Sequence, residues 1–319
     1  MNKIGKKKRK IITVLARFAR EGEEMKKEKP ELMVGGQAVI EGVLMRTKDK
    51  YAVAVRKPNE KIVVKKEKYV STTKKHKFLG LPFIRGIIIL VETVILGYKA
   101  LTYSANQQIE KKEKGKKQEL GTLELIVTFI ISILFALALF KLIPLLVATF
   151  FQNKVGTSNL VFNLIDGLAK FAILVLYILA ISLMKDVKRL FQYHGAEHKT
   201  VYCYEANNKL TVKNVKDYSK AHPRCGTTFI LVVIFLSILF YLLIPLETGF
   251  WLKLLIRILF LPLIAGIGYE WIKLTSKYHN WLTRILAAPG LLVQKLTTRE
   301  PDDEQIEVAI KALEGVVKK

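Results

Sequence analysis

Apolar residues in this 319-residue chain gather into long runs that charged stretches separate. Four runs, Leu123–Phe151, Leu160–Met184, Thr227–Leu246 and Trp251–Trp271, approach the roughly 20 apolar residues that a membrane-spanning helix needs. Four transmembrane helices are therefore expected. A fifth run, Leu81–Tyr103, carries Arg85, Glu92 and Lys99 at intervals of seven, which puts them on one helical face. Both flanks are basic, so this helix is expected to be interfacial or re-entrant rather than spanning. Trp281–Leu296, broken at Pro289-Gly290, reads as another interfacial element within 281–319. After it, Asp302-Asp303-Glu304 opens a helix with Ile306, Ala309, Ile310 and Leu313 on one face.

The period changes to two between residues 33 and 80. Gln37–Arg46, Tyr51–Lys57 and Glu60–Lys66 read as three strands of a small antiparallel sheet, with Pro58-Asn59 at the second reversal. Thr200–Glu205, in the loop 185–226, alternates enough to add a strand and would bury Cys203. The fold class expected is an α-helical membrane protein with four transmembrane helices (123–151, 160–184, 227–246, 251–271), an interfacial or re-entrant helix and a small cytoplasmic β-sheet. Within the apolar runs stand Lys141, Asp166, Lys170 and Arg257. The expectation is that Lys141 and Arg257 extend to the interface and Asp166 pairs with Lys170. The alternative is a polar path inside the bundle.

Composition agrees with segregation: 51% of residues are hydrophobic and 25% charged, at mean hydropathy +0.25. That excludes a disordered polymer, and two cysteines exclude a disulfide framework. The basic N-terminus lacks the apolar run of a secretory signal peptide. Charge sets the topology. Residues 1–80 hold 23 Lys/Arg, 185–226 nine and 269–319 eight, whereas 152–159 holds one and 246–250 none. Both termini and the central loop are thus expected in the cytoplasm. The formal charge of +25 and the leader 1–32, with Lys6-Lys7-Lys8-Arg9-Lys10, suit anionic lipid or ribosomal RNA, or simply a solvated tail. No aromatic-plus-basic motif accompanies the leader, so sequence-specific nucleic-acid binding is not expected.

The chemistry concentrates after the second run. In Tyr193-His194-Gly195-Ala196-Glu197-His198-Lys199, the two imidazoles and the carboxylate share a helical face if the segment is helical, although Gly195 argues against a helix. This H-x-x-E-H spacing is that of a zinc-peptidase class, two histidines holding metal and the glutamate activating water. His222-Pro223-Arg224-Cys225-Gly226 follows, with an imidazole and a thiol three apart. His194, His198, His222 and Cys225 are candidate ligands, zinc the candidate metal, and Glu197 the candidate catalytic base. A hydrogen-bonded polar plug and cysteine nucleophile chemistry remain as alternatives. Glu41, Arg46, Arg224 and Glu270 are further polar candidates, Glu41 needing a cationic partner such as Arg46, and Glu270 a possible carboxylate ligand.

Gly35-Gly36-Gln37-Ala38-Val39-Ile40-Glu41-Gly42-Val43-Leu44-Met45-Arg46, the two histidine motifs through Thr200 and Thr227, and Leu296-Thr297-Thr298-Arg299-Glu300-Pro301-Asp302 together resemble the YqhQ-like family. The likeness runs from about Met33 to Leu313. It implies a bacterial inner-membrane, multi-pass protein of the kind often labelled a predicted metal-dependent enzyme, with His194, Glu197, His198, His222 and Cys225 in the metal motifs. Two functions are expected. One is a non-enzymatic membrane factor whose basic face meets anionic lipid, the ribosome or the protein-translocation channel. The other is a membrane-anchored metal-dependent hydrolase. Three protein ligands would favour the hydrolase; four, or none, would favour the scaffold.

The topology has a direct check. An impermeant thiol reagent applied outside cells should label a cysteine placed at Asn153 or Thr248 and spare one at Lys114 or Lys213. Labelling at Lys114 would mean that 81–103 spans.

Overall fold

In the computed structural model, residues 33–109, 122–222, 225–277 and 290–317 are described. The leader 1–32, Arg224 and most of the element expected over 281–296 lie outside them. The sheet is a four-stranded antiparallel meander: β1 (Gly35–Val39), β2 (Gly42–Arg46), β3 (Lys50–Arg56) and β4 (Ile62–Lys68), ordered 1-2-3-4. The segment expected as one strand, Gln37–Arg46, folds into a hairpin instead, with Val39 paired to Gly42. Its two-residue turn puts Glu41 at φ 50°, a left-handed conformation that favours glycine, so no turn signature was visible. Gly42 is required beside it. A Cβ there would lie 2.3 Å from the Ala54 carbonyl oxygen.

Helices cover both faces of this sheet. They are α1 (Thr72–Lys75), α2 (Ile84–Gln108), α3 (Thr122–Leu137), α4 (Ile143–Val155), α5 (Asn159–Ile181), α6 (Lys185–Glu205), α7 (Val212–Lys216), α8 (Gly226–Tyr241), α9 (Phe250–Lys277), α10 (helical over 290–297) and α11 (Asp303–Val317). Val43, Met45, Ala52 and Ala54 pack against Ile306, Ala309 and Leu313 of α11 and Tyr193 and Ala196 of α6. Leu44, Val53 and Val55 meet Leu96 and Ala100 of α2 on the other face. Burial on both faces is why β3 is apolar without a break.

The strand expected over Thr200–Glu205 is the end of α6. Four consecutive apolar or aromatic residues, Val201 to Tyr204, carry too little periodicity to separate strand from helix. Cys203 is buried there in the helix, against the sheet's core.

Among the described residues three apolar helical stretches are long enough to cross a membrane: Ile130–Val155, Asn159–Ile181 and Phe250–Leu274. The first joins α3 to α4 through a π-helical turn, Ala138–Leu142, just before Pro144 removes a backbone donor. The third expected span, 227–246, stops being helical at Tyr241. Sixteen residues rise only about 24 Å, and Pro245 disfavours helix at the residue before it. Helix α2 packs closely on α9. A Cβ on Gly86 would come within 3.1 Å of the Gly266 Cα, and Arg85 Nε donates to Glu270 at 2.6 Å.

Inside the apolar bundle the charges do not reach outward. Arg257 is 1% exposed and donates to Asp166 at 2.6 Å and to Asn163 at 2.8 Å. Lys170 is paired to the same Asp166. Lys141, also buried, donates to the Tyr241 hydroxyl at 2.7 Å. The extension expected for Lys141 and Arg257 is therefore replaced by an internal polar network. The reason is geometric: Asp166 and Tyr241 offer acceptors closer than either interface. One carboxylate serves two cations, so Asp166→Ala should destabilise the detergent-solubilised protein by about 3–5 kcal/mol. The triple change Asp166→Leu, Lys170→Met and Arg257→Met, which removes both cations with their shared carboxylate, should recover much of that loss in thermal unfolding. Fully additive changes would show that the network contributes no coupling.

Candidate metal centre

Helix α6 carries His194, Glu197 and His198 on one face, as their spacing requires. Gly195 does not break the helix; it admits a neighbour. A Cβ on Gly195 would stand 2.1 Å from the Arg299 carbonyl oxygen, and the Arg299 N–H donates to Phe191 O at 2.9 Å. The chain 297–301 therefore lies directly on the helix backbone. That contact brings the Thr297 carbonyl to 2.9 Å from His194 Nδ1. The Lys220 carbonyl sits 2.7 Å from His198 Nδ1. A carbonyl only accepts, so both Nδ1 atoms carry the proton and both Nε2 lone pairs are left for a metal.

The second motif supplies the third donor. Cys225 caps α8, and its Sγ lies 3.3 Å from His194 Nε2. Donor atoms of His194, His198 and Cys225 all fall within 4.8 Å of one another. A tetrahedral zinc with nitrogen near 2.1 Å and sulfur near 2.3 Å separates its ligands by about 3.3–3.7 Å. The donor set and the oriented imidazoles fit a metal ion.

Glu197 is buried beside them, its Oε2 4.0 Å from His194 Nε2. A Cβ on Gly36 would lie 2.7 Å from the Glu197 Cγ, so only glycine lets β1 bring its N–H to this carboxylate. Burial pushes the Glu197 carboxyl up from its ordinary range, against the pull of His194, His222 and the Gly36 N–H. Burial pushes His198 down to about 4, and His194 repels its charged form.

His222 lies beside the cluster with its imidazole turned to Glu205, at 3.3 Å. Gln294 of α10 grips its backbone on both sides, accepting from His222 N at 2.7 Å and donating to His222 O at 2.8 Å. Burial pushes His222 to about 4 as well. The other polar candidates serve elsewhere. Glu41 pairs with Arg189 and accepts from Tyr193 at 3.1 Å, rather than meeting Arg46. Arg46 donates to Thr93 at 3.2 Å, and Glu270 is held by Arg85. Sequence reading had no means of finding the Thr297 and Lys220 carbonyls. Gln294, a lone polar residue in an apolar run, was a visible signal.

The architecture and the cluster define a mostly helical protein with, among the described residues, three helices apolar enough to cross a membrane and a His-His-Cys group able to hold a metal. Residues 81–319 match the family described as "Protein of unknown function (DUF1385)". The chain is 36% identical over 304 residues to "Uncharacterized protein YqhQ" of Bacillus subtilis (strain 168), covering 92% of this chain and 95% of the relative. This chain belongs to the YqhQ-like family, whose function is unknown. No solved structure matches.

Alanine is favoured over glycine within a helix by about 1 kcal/mol, so Gly195→Ala would stabilise α6 if packing allowed it. The 2.1 Å approach reverses the sign: a net destabilisation of about 1–3 kcal/mol and roughly 10–100-fold weaker cobalt binding are expected. A more stable variant would show that the segment 297–301 is not seated on α6.

Acid should loosen the metal-stripped protein. His198 and His222 protonate near 6.5 when unfolded but near 4 when folded, so their stabilisation is complete above about pH 6.5 and lost by about pH 4. Glu197 shifts with the opposite sign, so the test uses Glu197→Gln, in which that opposing carboxyl is removed. A melting temperature that holds steady or rises from pH 6.5 to 4, in chelator, would contradict the buried neutral histidines.

Proposed function

We propose that this chain is a multi-pass inner-membrane protein carrying a cytoplasmic-face zinc centre of the hydrolytic type. One observation carries the reading: among the described residues three donors converge, His194, His198 and Cys225. His222 faces Glu205, so the protein itself leaves a coordination position for water or substrate. Imidazole with thiolate favours zinc among the common divalent ions. Such a metal, when bound, lowers the pKa of its water toward neutrality. Glu197, buried with its Oε2 4.0 Å from His194 Nε2, would be the nearby base, and burial pushes its carboxyl up from the ordinary range.

Membrane insertion is supported by the apolar side chains that the long helices leave uncovered, among them Leu134, Phe135, Leu168, Leu176 and Leu259. Helix α8, too short alone, joins the spans as the fourth when the turn after Tyr241 reaches the interface. With the lysine-rich segments inside, the metal site faces the cytoplasm. The second reading, a non-enzymatic factor whose basic face meets anionic lipid, ribosome or translocation channel, draws its support from the charge of +25, which a hydrolase does not need.

Cobalt substitution separates the two without a known substrate. The native protein should bind about one metal per chain, lose it in His198→Ala and Cys225→Ser, and show a thiolate charge-transfer band. Acetohydroxamate or azide should shift the visible spectrum if a coordination position is open. A spectrum indifferent to both anions would mean a closed, structural shell and favour the scaffold. Glu197→Gln should retain the cobalt spectrum while abolishing any turnover found in a peptide and ester screen.

A further inference from the structure

At the last turn of α5 a cleft of about 410 Å³ opens between that helix, the start of α6 and the segment 295–300. Its size falls within the roughly 300–1,000 Å³ of small-ligand sites. Four cations line it, Lys188, Lys220, Lys295 and Arg299, against one carboxylate, Glu300. That carboxylate is already engaged, by Lys199 and, at 3.9 Å, by Lys220. Among the described residues the side chains of Lys188, Lys295 and Arg299 have no acidic partner.

Two apolar residues, Leu179 and Leu296, line the cleft among its polar ones, and Leu183, Met184 and Leu292, near lining residues in sequence, are exposed, Leu183 at 86%. A soluble anion would have no use for those side chains, whereas an acyl chain would cover them. Position along α5 agrees, because Ser182, another lining residue, is the C-cap that ends this apolar helix. In a membrane that point lies at headgroup depth.

We propose that this cleft binds the phosphate of an anionic phospholipid headgroup, with Arg299, Lys188 and Lys295 as its donors. Guanidinium and ammonium groups are the usual partners of phosphate, Arg299 offering a planar fork and the two lysines mobile point charges. The site goes beyond the metal centre and does not depend on it, although the two share a wall: Thr298 and Lys220 of the cleft adjoin or supply the carbonyls that orient His194 and His198. The lipid source rests on the membrane reading, which has its own readout in the thiol-labelling topology.

The test uses the full chain in detergent, with native mass spectrometry and thermal unfolding against three probes: phosphatidylglycerol, phosphatidylcholine and inorganic phosphate. Phosphatidylglycerol should bind and raise the melting temperature, phosphatidylcholine far less, and millimolar phosphate should do neither. The triple change Lys188→Gln, Lys295→Gln and Arg299→Gln should weaken phosphatidylglycerol binding by about tenfold or more. Lys209→Gln, Lys213→Gln and Lys61→Gln, which remove the same charge from exposed positions elsewhere, should leave it unchanged. If Arg299→Gln prevents folding, Lys188→Gln with Lys295→Gln, both exposed, should still show a several-fold loss. Equal loss in the two triple variants would reduce the effect to general basicity and overturn the site. Stabilisation by inorganic phosphate alone would overturn the lipid assignment in favour of a soluble anion.

Discussion

The arrangement turns on how closely two pieces of backbone approach helix α6. At Gly195 the chain 297–301 lies where a Cβ would be, and at Gly36 strand β1 does the same above Glu197. Both contacts need glycine, on the helix in one case and on the strand in the other. From them follow the carbonyl that fixes the His194 tautomer and the N–H that reaches the Glu197 carboxylate. Without that proximity the two imidazoles would still share a face, but His194 would lose the carbonyl that aims it. The centre is thus organised by packing of main chain before any metal arrives.

The remaining layers reinforce α6 at its ends. Arg189, near its start, pairs with Glu41 in the β1–β2 turn, and Tyr193 donates to the same carboxylate. Lys199, nearly buried, donates to the Lys216 carbonyl at 2.9 Å and pairs with Glu300. The sheet, α7 and the C-terminal chain are therefore all tied to one helix. A second polar region lies deeper in the bundle, around Asp166. Along α5, Asp166 and Ser182 are separated by about 24 Å of helix rise, so this network and the cationic cleft occupy different depths. An ion network in an apolar bundle contributes little net stability compared with well-packed apolar residues. Its value here is to specify which faces of α5, α8 and α9 meet, since misregistered helices would leave the buried Arg257 unpaired among apolar side chains.

Much of the outline was legible along the chain. Asn159–Ile181 and the start of α9 fall within a few residues of the runs that announced them, because burial of an apolar side chain is recorded in its own identity. The helix opened by Asp303-Glu304 was equally plain, its buried face repeating at Ile306, Ala309, Ile310 and Leu313. The H-x-x-E-H spacing alone put His194, Glu197 and His198 on one face. What failed were short segments with mixed signals. Four apolar residues after Thr200 looked like a strand, Glu41 concealed a turn, and the run 227–246, which contains Pro245, is helical only to Tyr241.

The sequence by itself determined the apolar helices, the sheet, the basic asymmetry of the loops and the clustering of imidazole and thiol between 194 and 225. Each of these is a property of neighbours along the chain, where periodicity and composition are physical constraints. The tertiary structure decided which of those groups converge: Cys225 comes to His194, His222 turns to Glu205, and Glu41 chooses Arg189 over Arg46. It also decided that Lys141 and Arg257 stay inside. Such choices bring together groups 17 to 148 residues apart in the chain, and the orientation of the two histidines adds backbone carbonyls to them. Every residue type carries the same carbonyl, so no residue name marks the ones at Thr297 and Lys220 that aim the two histidines.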